Sequence, residues 1–142
     1  MDSPVVVISD DDESMVRLLE RQAAKAGLWA VPDVKSEAVQ LTALLHPAVV
    51  VLDLFQSRYG LDMLRELKAD PRNKDVEVVV ISGLNADVMK DSCLALGAAD
   101  FVSKPLNATF LVNLASRASQ VCSSRVKAQT QRKVAERKTA NS

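Results

Sequence analysis

The sequence predicts a doubly wound α/β fold in which β-strands and α-helices alternate along the chain. Short apolar runs without polar alternation indicate strands that are buried on both faces. Amphipathic helical segments separate these runs, and glycine or proline follows most of them. Such short connections between buried strands favour parallel pairing with right-handed crossovers. We therefore expect a (βα)5 arrangement with a five-stranded parallel sheet in the order 2-1-3-4-5.

Five apolar runs are the candidate strands, and most of them are rich in β-branched residues. They cover residues 5–8, 28–31, 48–52, 76–81 and 101–102. The second run is the weakest, and Pro32 is expected to end it. Trp29 is expected to be a packing residue of that strand.

Helix-period apolar stripes fill the intervals between the candidate strands. The stripes are Met15, Leu18, Leu19, Ala23 and Ala26; Ala38, Leu41, Leu44 and Leu45; Leu61, Leu64 and Leu67; and Val88, Met89, Cys93 and Leu96. They end at Gly27, His46–Pro47, Asp70–Pro71 and Gly97. Asn107 is the expected N-cap of a fifth helix, with Leu106 and Leu111 spaced for a hydrophobic staple. The complete pattern is that of a flavodoxin-like sandwich.

Length and composition fit one ordinary domain. The chain has 142 residues, of which 48% are apolar and 25% charged, and this is enough to build one core. Basic and acidic residues number 18 each, so no global attraction to nucleic acid or membranes is expected. The first residues do not resemble a secretory signal, and no apolar run is long enough to span a bilayer. Cys93 and Cys122 lack metal-ligand spacing. We expect a small cytoplasmic protein.

Charge is divided unevenly between two parts of the chain. Residues 1–122 hold 12 basic and 17 acidic side chains, a net charge of −5, and form the expected domain. Residues 123–142 hold six basic side chains and only Glu136, a net charge of +5. This tail has too few large apolar residues for a core of its own. It is expected to be a solvated helix extension or a linker.

Polar residues follow the predicted strands at the edge where ligands bind in doubly wound sheets. Asp10 and Asp11 follow the first strand, Asp53 ends the third, Ser82 ends the fourth and Lys104 follows the fifth. The carboxyl ends of parallel strands share one edge of the sheet, so these side chains should converge on one pocket.

Clustered carboxylates repel one another, and a divalent cation relieves that repulsion. Hard oxygen ligands suit Mg²⁺, a lysine supplies a point charge for a phosphoryl oxygen, and a serine hydroxyl can hydrogen-bond to it. An aspartate can itself attack phosphorus to form an aspartyl phosphate. The predicted chemistry is therefore phosphoryl transfer, which depends mainly on positioning and charge neutralisation.

These residues resemble the receiver domain of bacterial two-component response regulators over residues 4 to about 120. The matching positions are Asp10-Asp11, Asp53 in VVVLDL, Ser82 in VVVISG, Phe101 in AADFVSKP, and Lys104-Pro105. Each motif alone is weak, but five in order at the strand ends are specific.

The resemblance implies a role for each matching residue. Asp53 would accept the phosphoryl group, and Mg²⁺ would be held by Asp10, Asp11, Asp53 and the backbone carbonyl of Phe55. Ser82 and Lys104 would bind the phosphoryl group, and Ser82 and Phe101 would form the switch that moves inward on phosphorylation. The Lys104–Pro105 peptide bond is expected to be cis.

The resemblance also implies partners. A histidine kinase or a phosphotransfer protein would supply the phosphoryl group, and a downstream protein would bind the face made by the fourth and fifth strands and their helices. A homodimer that forms on phosphorylation is compatible with the same resemblance. No direct nucleic-acid contact, membrane span or enzymatic turnover is expected beyond slow loss of the phosphoryl group. Phe55 and Leu84, two positions beyond Asp53 and Ser82, are bulky and predict that slow loss.

The loop after Asp53 departs from the family pattern and leaves alternatives open. Gln56-Ser57 stands where the family usually has Met-Pro, and Tyr59-Gly60 arrives one residue early. This loop is the only support for a scaffold that does not use phosphorylation. A Mg²⁺-dependent phosphohydrolase is a remote alternative, because Phe55 occupies the position of the second acid that such enzymes use.

Overall fold

The structure is a computed structural model that describes residues 3–83 and 87–141. Within these residues, five strands alternate with five helices. The strands are β1 (Val5–Ser9), β2 (Trp29–Asp33), β3 (Val49–Asp53), β4 (Glu77–Ser82) and β5 (Asp100–Ser103). The helices are α1 (Glu13–Lys25), α2 (Ala38–Leu45), α3 (Gly60–Ala69), α4 (Asp87–Ala95) and α5 (Ala108–Ala140), and a 3-10 helix (Pro71–Asn73) follows α3.

The strands form one parallel sheet in the order β2-β1-β3-β4-β5. This confirms the predicted flavodoxin-like (βα)5 fold and its strand order. In the sheet's register, Val7 of β1 lies between Val31 of β2 and Val50 of β3. The order of the strands reverses direction between β1 and β3, so the carboxyl ends of these two strands adjoin at the switch point.

Each face of the sheet is covered by helices, which explains why the strands lack polar alternation. One core layer packs α1 and α5 against side chains such as Val6, Ile8 and Val49. The other packs residues of α2, α3 and α4 against side chains such as Val7 and Val50. Consecutive residues of a strand therefore enter opposite layers, and both positions must be apolar.

Helix ends follow the predicted caps. Asn107 is the N-cap of α5, and its side chain accepts a hydrogen bond from the N–H of Phe110. Asp12 caps α1 in the same way by accepting from the N–H of Met15. Gly27 and Gly97 follow α1 and α4 with φ of 84° and 106°, a conformation that a side chain disfavours.

The second strand differs from its prediction. Pro32 lies inside β2, opposite Ile8, instead of ending the strand. Because β2 is at the edge of the sheet, an N–H group on its outer side has no ladder partner, and proline is tolerated there. The edge position of β2 also explains why the side chain of Trp29 is 62% exposed. The expectation that Trp29 is a packing residue of this strand is therefore wrong.

Some predicted stripe residues face solvent. Leu18, Leu44 and Val88 are exposed, whereas Val16 of α1, Thr42 of α2 and Met63 of α3 are among the buried residues that the stripes missed. Cys93 is buried, as predicted. His46 contacts Asp75 through Nε2 at 2.9 Å.

Helix α5 extends well beyond the layer that it covers. Val121 is its last buried residue, whereas the helix continues to Ala140. Residues 127–141 are exposed. No helix among the described residues combines the length and apolarity needed to cross a membrane.

Candidate functional site

Three carboxylates meet at the carboxyl edge of the sheet. Asp10 directly follows β1, Asp11 is the next residue, and Asp53 ends β3. Each of the three offers a carboxylate oxygen, and these atoms all lie within 4.8 Å of one another. Asp10 and Asp53 are buried, and Asp11 is exposed. The predicted convergence of these acids is therefore present in the fold, and their oxygens form a candidate metal centre.

Lys104 reaches the same cluster from the loop after β5. Its Nζ lies 2.7 Å from Asp10 Oδ2 and 3.6 Å from Asp53 Oδ1. The main chain of Lys104 is anchored because its N–H donates to the carbonyl of Ser82 at 2.8 Å. The Lys104–Pro105 peptide bond is cis. One ammonium group thus faces three acids, and the cluster keeps an excess of negative charge.

Burial and the neighbouring acid shift the protonation of Asp53. Burial raises the pKa of Asp53 to about 6, and the negative charge of Asp10 acts in the same direction. The Lys104 ammonium and the Phe55 N–H oppose this shift. Burial alone would lower the pKa of Lys104, but its hydrogen bond to Asp10 and the charges of both acids hold that pKa above its usual value. The lysine therefore stays protonated.

The remaining acids after β1 stabilise the helix. The Asp12 side chain caps α1, and its N–H donates to Asp10 Oδ1 at 2.9 Å. Glu13 lies in the first turn of α1, where a negative charge is favourable, and pairs with Arg17 at 3.7 Å. Asp10 has both carboxylate oxygens engaged, one by this N–H and one by Lys104.

Ser82 and Phe101 are both buried, Ser82 at this end of the sheet and Phe101 near it. Ser82 ends β4 and lies opposite Ser103 of β5 in the register. Phe101 lies opposite Val80 and packs in the core layer beneath α2, α3 and α4. Leu84, which the sequence places next to the pocket, lies outside the described residues.

The loop after Asp53 contains contacts that the sequence did not reveal. Phe55 is 44% exposed, and its ring stacks on Tyr59 with the ring centroids 6.0 Å apart. Gln56 turns inward and hydrogen-bonds to the main chain of Asp53 and Ser9. The substitution at Gln56 was visible in the sequence, but its partners come from separate loops and no spacing rule links them.

The donor set suits a hard divalent cation. Carboxylate oxygens are the ligands that Mg²⁺ and Ca²⁺ prefer, and Mg²⁺ usually keeps several waters beside one or two carboxylates. The exposed side of Asp11 leaves the cluster open to solvent and to an incoming group. These residues can therefore hold a cation, with Lys104 close enough to bind a second anionic group.

Comparison with known proteins agrees with this geometry. The family model described as "Response regulator receiver domain" matches residues 6–116. The photosynthetic apparatus regulatory protein RegA of Rhodovulum sulfidophilum is 29% identical over 109 residues, which are 75% of this chain and 58% of RegA. The chain thus spans less than two thirds of that relative.

Solved receiver structures share the fold. The signal receiver domain of a putative Luxo repressor protein from Vibrio parahaemolyticus superposes with a TM-score of 0.79 at 20% identity, covering 87% of this chain and 96% of that one. A response regulator protein from Burkholderia pseudomallei, solved with a phosphorylated aspartic acid, calcium ion and citrate, gives 0.72 at 21% identity, covering 87% and 73%. The fold, the family match over residues 6–116 and the acidic cluster agree, and the chain belongs to the response regulator receiver domain family.

Proposed function

We propose that this chain is a phosphoacceptor module of two-component signalling and that Asp53 accepts the phosphoryl group. The observation that carries the proposal is the cluster of Asp10, Asp11 and Asp53 with the Lys104 ammonium beside it. Asp10 has both oxygens engaged, whereas the nearest ammonium contact of Asp53 is 3.6 Å long. Of the two buried acids, Asp10 is therefore the one that Lys104 holds more closely, which supports Asp53 as the nucleophile.

The proposed step is a simple displacement. A carboxylate oxygen of Asp53 attacks phosphorus, the bond to the donor breaks, and the bonding electron pair leaves with the donor. Receiver domains imply a kinase as partner, and we propose a histidine kinase or phosphotransfer protein as the donor in the cytoplasm. The phosphorylated aspartic acid in the Burkholderia structure, which shares the fold, supports this assignment.

We assign Mg²⁺ binding to Asp10, Asp11 and Asp53, with the Phe55 carbonyl as a further ligand. When bound, the cation neutralises charge on the carboxylates and on the phosphoryl oxygens. The calcium ion in the Burkholderia structure shows that a protein of this fold takes a divalent cation, and it supports the assignment.

The switch would start at Ser82 and Lys104. Both lie at the ends of neighbouring strands β4 and β5, and a phosphoryl group on Asp53 would draw their polar atoms toward it. Phe101, on β5, would then shift the face made by β4, β5 and their helices, which is the proposed docking face for a downstream protein or a second copy.

Intact mass spectrometry tests the phosphoacceptor role. With acetyl phosphate and Mg²⁺, we expect the wild-type chain to gain one phosphoryl group and Asp53→Asn to gain none. Asp12→Asn is the matched control, because asparagine also caps helices and Asp12 lies outside the metal cluster. Equal labelling of wild type and Asp53→Asn would refute the assignment, and no labelling of the wild type would favour the phosphorylation-independent scaffold.

A further inference from the structure

The side chain of Gln56 joins three loops beside the acidic cluster. Its Nε2 donates to the main-chain carbonyl of Asp53 at 2.8 Å and to that of Ser9 at 3.2 Å. Its Oε1 accepts from the Ser36 hydroxyl at 2.9 Å. The three partners lie at the end of β3, at the end of β1 and in the loop between β2 and α2.

The partners of Gln56 are themselves held in place. The Ser36 oxygen accepts from the N–H of Arg58 at 3.1 Å, so the same hydroxyl fixes a second point of the loop after Asp53. The Ser9 hydroxyl donates to Asp33 at 2.7 Å, and the Asp33 carboxylate accepts from the N–H groups of Lys35 and Glu37. Ser9, Asp33 and Ser36 are all buried. The network is therefore a continuous polar support and not a surface contact.

Hydrogen bonds on both sides, one of them from Gln56, enclose the segment that carries Phe55. The Asp53 carbonyl is fixed by Gln56, and Leu54 is fixed on both sides because its N–H donates to Ile81 and its carbonyl accepts from Gly60. The loop from Leu54 to Tyr59 contains no proline, so no ring restrains its backbone. Phe55 lies inside the closed segment, and its N–H is close enough to the Asp53 carboxyl to lower the pKa of that group.

We propose that Gln56 is a positioning residue for the metal centre. By holding the carbonyls of Asp53 and Ser9 with one amide, it sets the main-chain path on either side of the cluster and with it the direction of the Phe55 carbonyl. This proposal rests on the proposed function, in which Phe55 supplies a carbonyl ligand. Groups that orient metal ligands without touching the ion typically change metal affinity 10- to 100-fold when they are removed.

A magnesium titration of the full chain tests the role of Gln56. Gln56→Met keeps the length of the side chain but removes the amide, and we expect it to weaken Mg²⁺ binding about tenfold by calorimetry. Ser57→Ala changes the neighbouring exposed residue and should bind Mg²⁺ like the wild type. Ser36→Ala removes the nearer of the two hydroxyls that contact Oε1 and should cause a smaller loss, which provides a second test if Gln56→Met does not fold.

Phosphorylation by acetyl phosphate separates positioning from a general loss of structure. For Gln56→Met, we expect the Mg²⁺ concentration at half-maximal rate to rise about tenfold while the rate at saturating Mg²⁺ stays near that of the wild type. Wild-type affinity in both Gln56→Met and Ser36→Ala would overturn the inference and leave the phosphoacceptor role intact. A wild-type chain that binds no Mg²⁺ would overturn both.

Discussion

The Asp53 carboxyl lies at the end of a buried strand, beside the buried carboxylate of Asp10 and 3.6 Å from the Lys104 ammonium. Its pKa is raised to about 6, mainly by burial and then by the charge of Asp10, and the lysine only partly offsets these effects. The site therefore holds a charge that the metal-free fold disfavours. A bound cation would remove that cost, which links metal uptake to stability.

The pH dependence of stability follows from this shift. The folded pKa of Asp53 exceeds the unfolded one, so the folded chain binds more protons between about pH 4 and 6, and stability falls as pH rises through that window. We expect Asp53→Asn to exceed the wild type in free energy of unfolding by about 1 to 3 kcal/mol above pH 7. The gain should disappear near pH 4.

Urea unfolding in EDTA at several pH values measures this difference. Asp12→Asn, at an exposed acid, should follow the wild type. Adding Mg²⁺ should stabilise the wild type more than Asp53→Asn, because the variant lacks one of the three carboxylates. A difference between the two chains that does not change with pH would contradict the argument.

At the scale of elements, the first residue of α3 lies unusually close to the end of β3. The Gly60 N–H donates to the Leu54 carbonyl at 2.8 Å, so the first residue of α3 lies against the end of β3. A Cβ atom on Gly60 would lie 2.5 Å from the Asp53 carbonyl oxygen and 2.7 Å from Leu54 Cα. Both atoms belong to the main chain, and no side-chain rotation relieves the contact.

We expect Gly60→Ala to lower the free energy of unfolding by about 2 to 3 kcal/mol, because the helix must move away from β3. Gly83→Ala is the matched control: its Cβ would meet only Lys104 Cδ, at 3.5 Å, and the loss should stay within about 0.5 kcal/mol. Chemical denaturation of both variants measures the difference. Equal losses of unfolding free energy in the two variants would show that the close approach of Gly60 to β3 does not determine the cost of a side chain there.

The elements near the sheet centre were predictable because burial on both faces leaves a simple pattern. β-Branched runs identified β1, β3 and β4, and their ends placed Asp10 and Asp53 together. The short helix α2 was less predictable, because its apolar pattern did not show which side chains face the core. Leu44 is exposed, whereas Thr42 is buried. The prediction that Trp29 packs was wrong for a related reason, because the apolar pattern did not show that this side chain of the edge strand β2 is exposed.

Contacts between distant residues could not be predicted from spacing. Gln56 contacts Ser9 across 47 positions, and Arg125 contacts Asp75 across 50. The departure from the family pattern at Gln56 was visible in the sequence, but its partners depend on how three loops approach one another. The cis peptide bond at Lys104–Pro105 was expected only from the family resemblance, since a single X–Pro pair does not specify its isomer.

At the scale of the whole molecule, helix α5 links the domain to its basic extension. Arg125 lies four residues beyond the last buried residue of the helix, Val121, and reaches the opposite edge of the sheet from the acidic cluster. Its guanidinium contacts Asp75 Oδ2 at 2.5 Å and the carbonyls of His46 and Pro47 at 3.0 and 2.8 Å. These residues precede β3 and β4, so one side chain ties α5 to two connections.

The contacts of Arg125 predict that it contributes to stability although most of the surrounding helix is exposed. Arg125→Ala should lower the free energy of unfolding by about 1 to 2 kcal/mol at neutral pH, because two main-chain carbonyls and a carboxylate lose a charged donor. Arg132→Ala removes an exposed arginine two turns further along and should have little effect. Chemical denaturation of both variants compares them.

The pH dependence of the same variant identifies the carboxylate as part of the effect. Burial would raise the pKa of Asp75, but hydrogen bonds from Arg125 and His46 outweigh it and hold that pKa below its usual value of 3.8. A lowered folded pKa contributes stability that is present above the unfolded pKa and is lost as pH falls below it. The difference in free energy of unfolding between wild type and Arg125→Ala should therefore decrease as pH falls below about 4, provided both chains stay folded. A gap that stays constant there would assign the stabilisation to the two carbonyls alone.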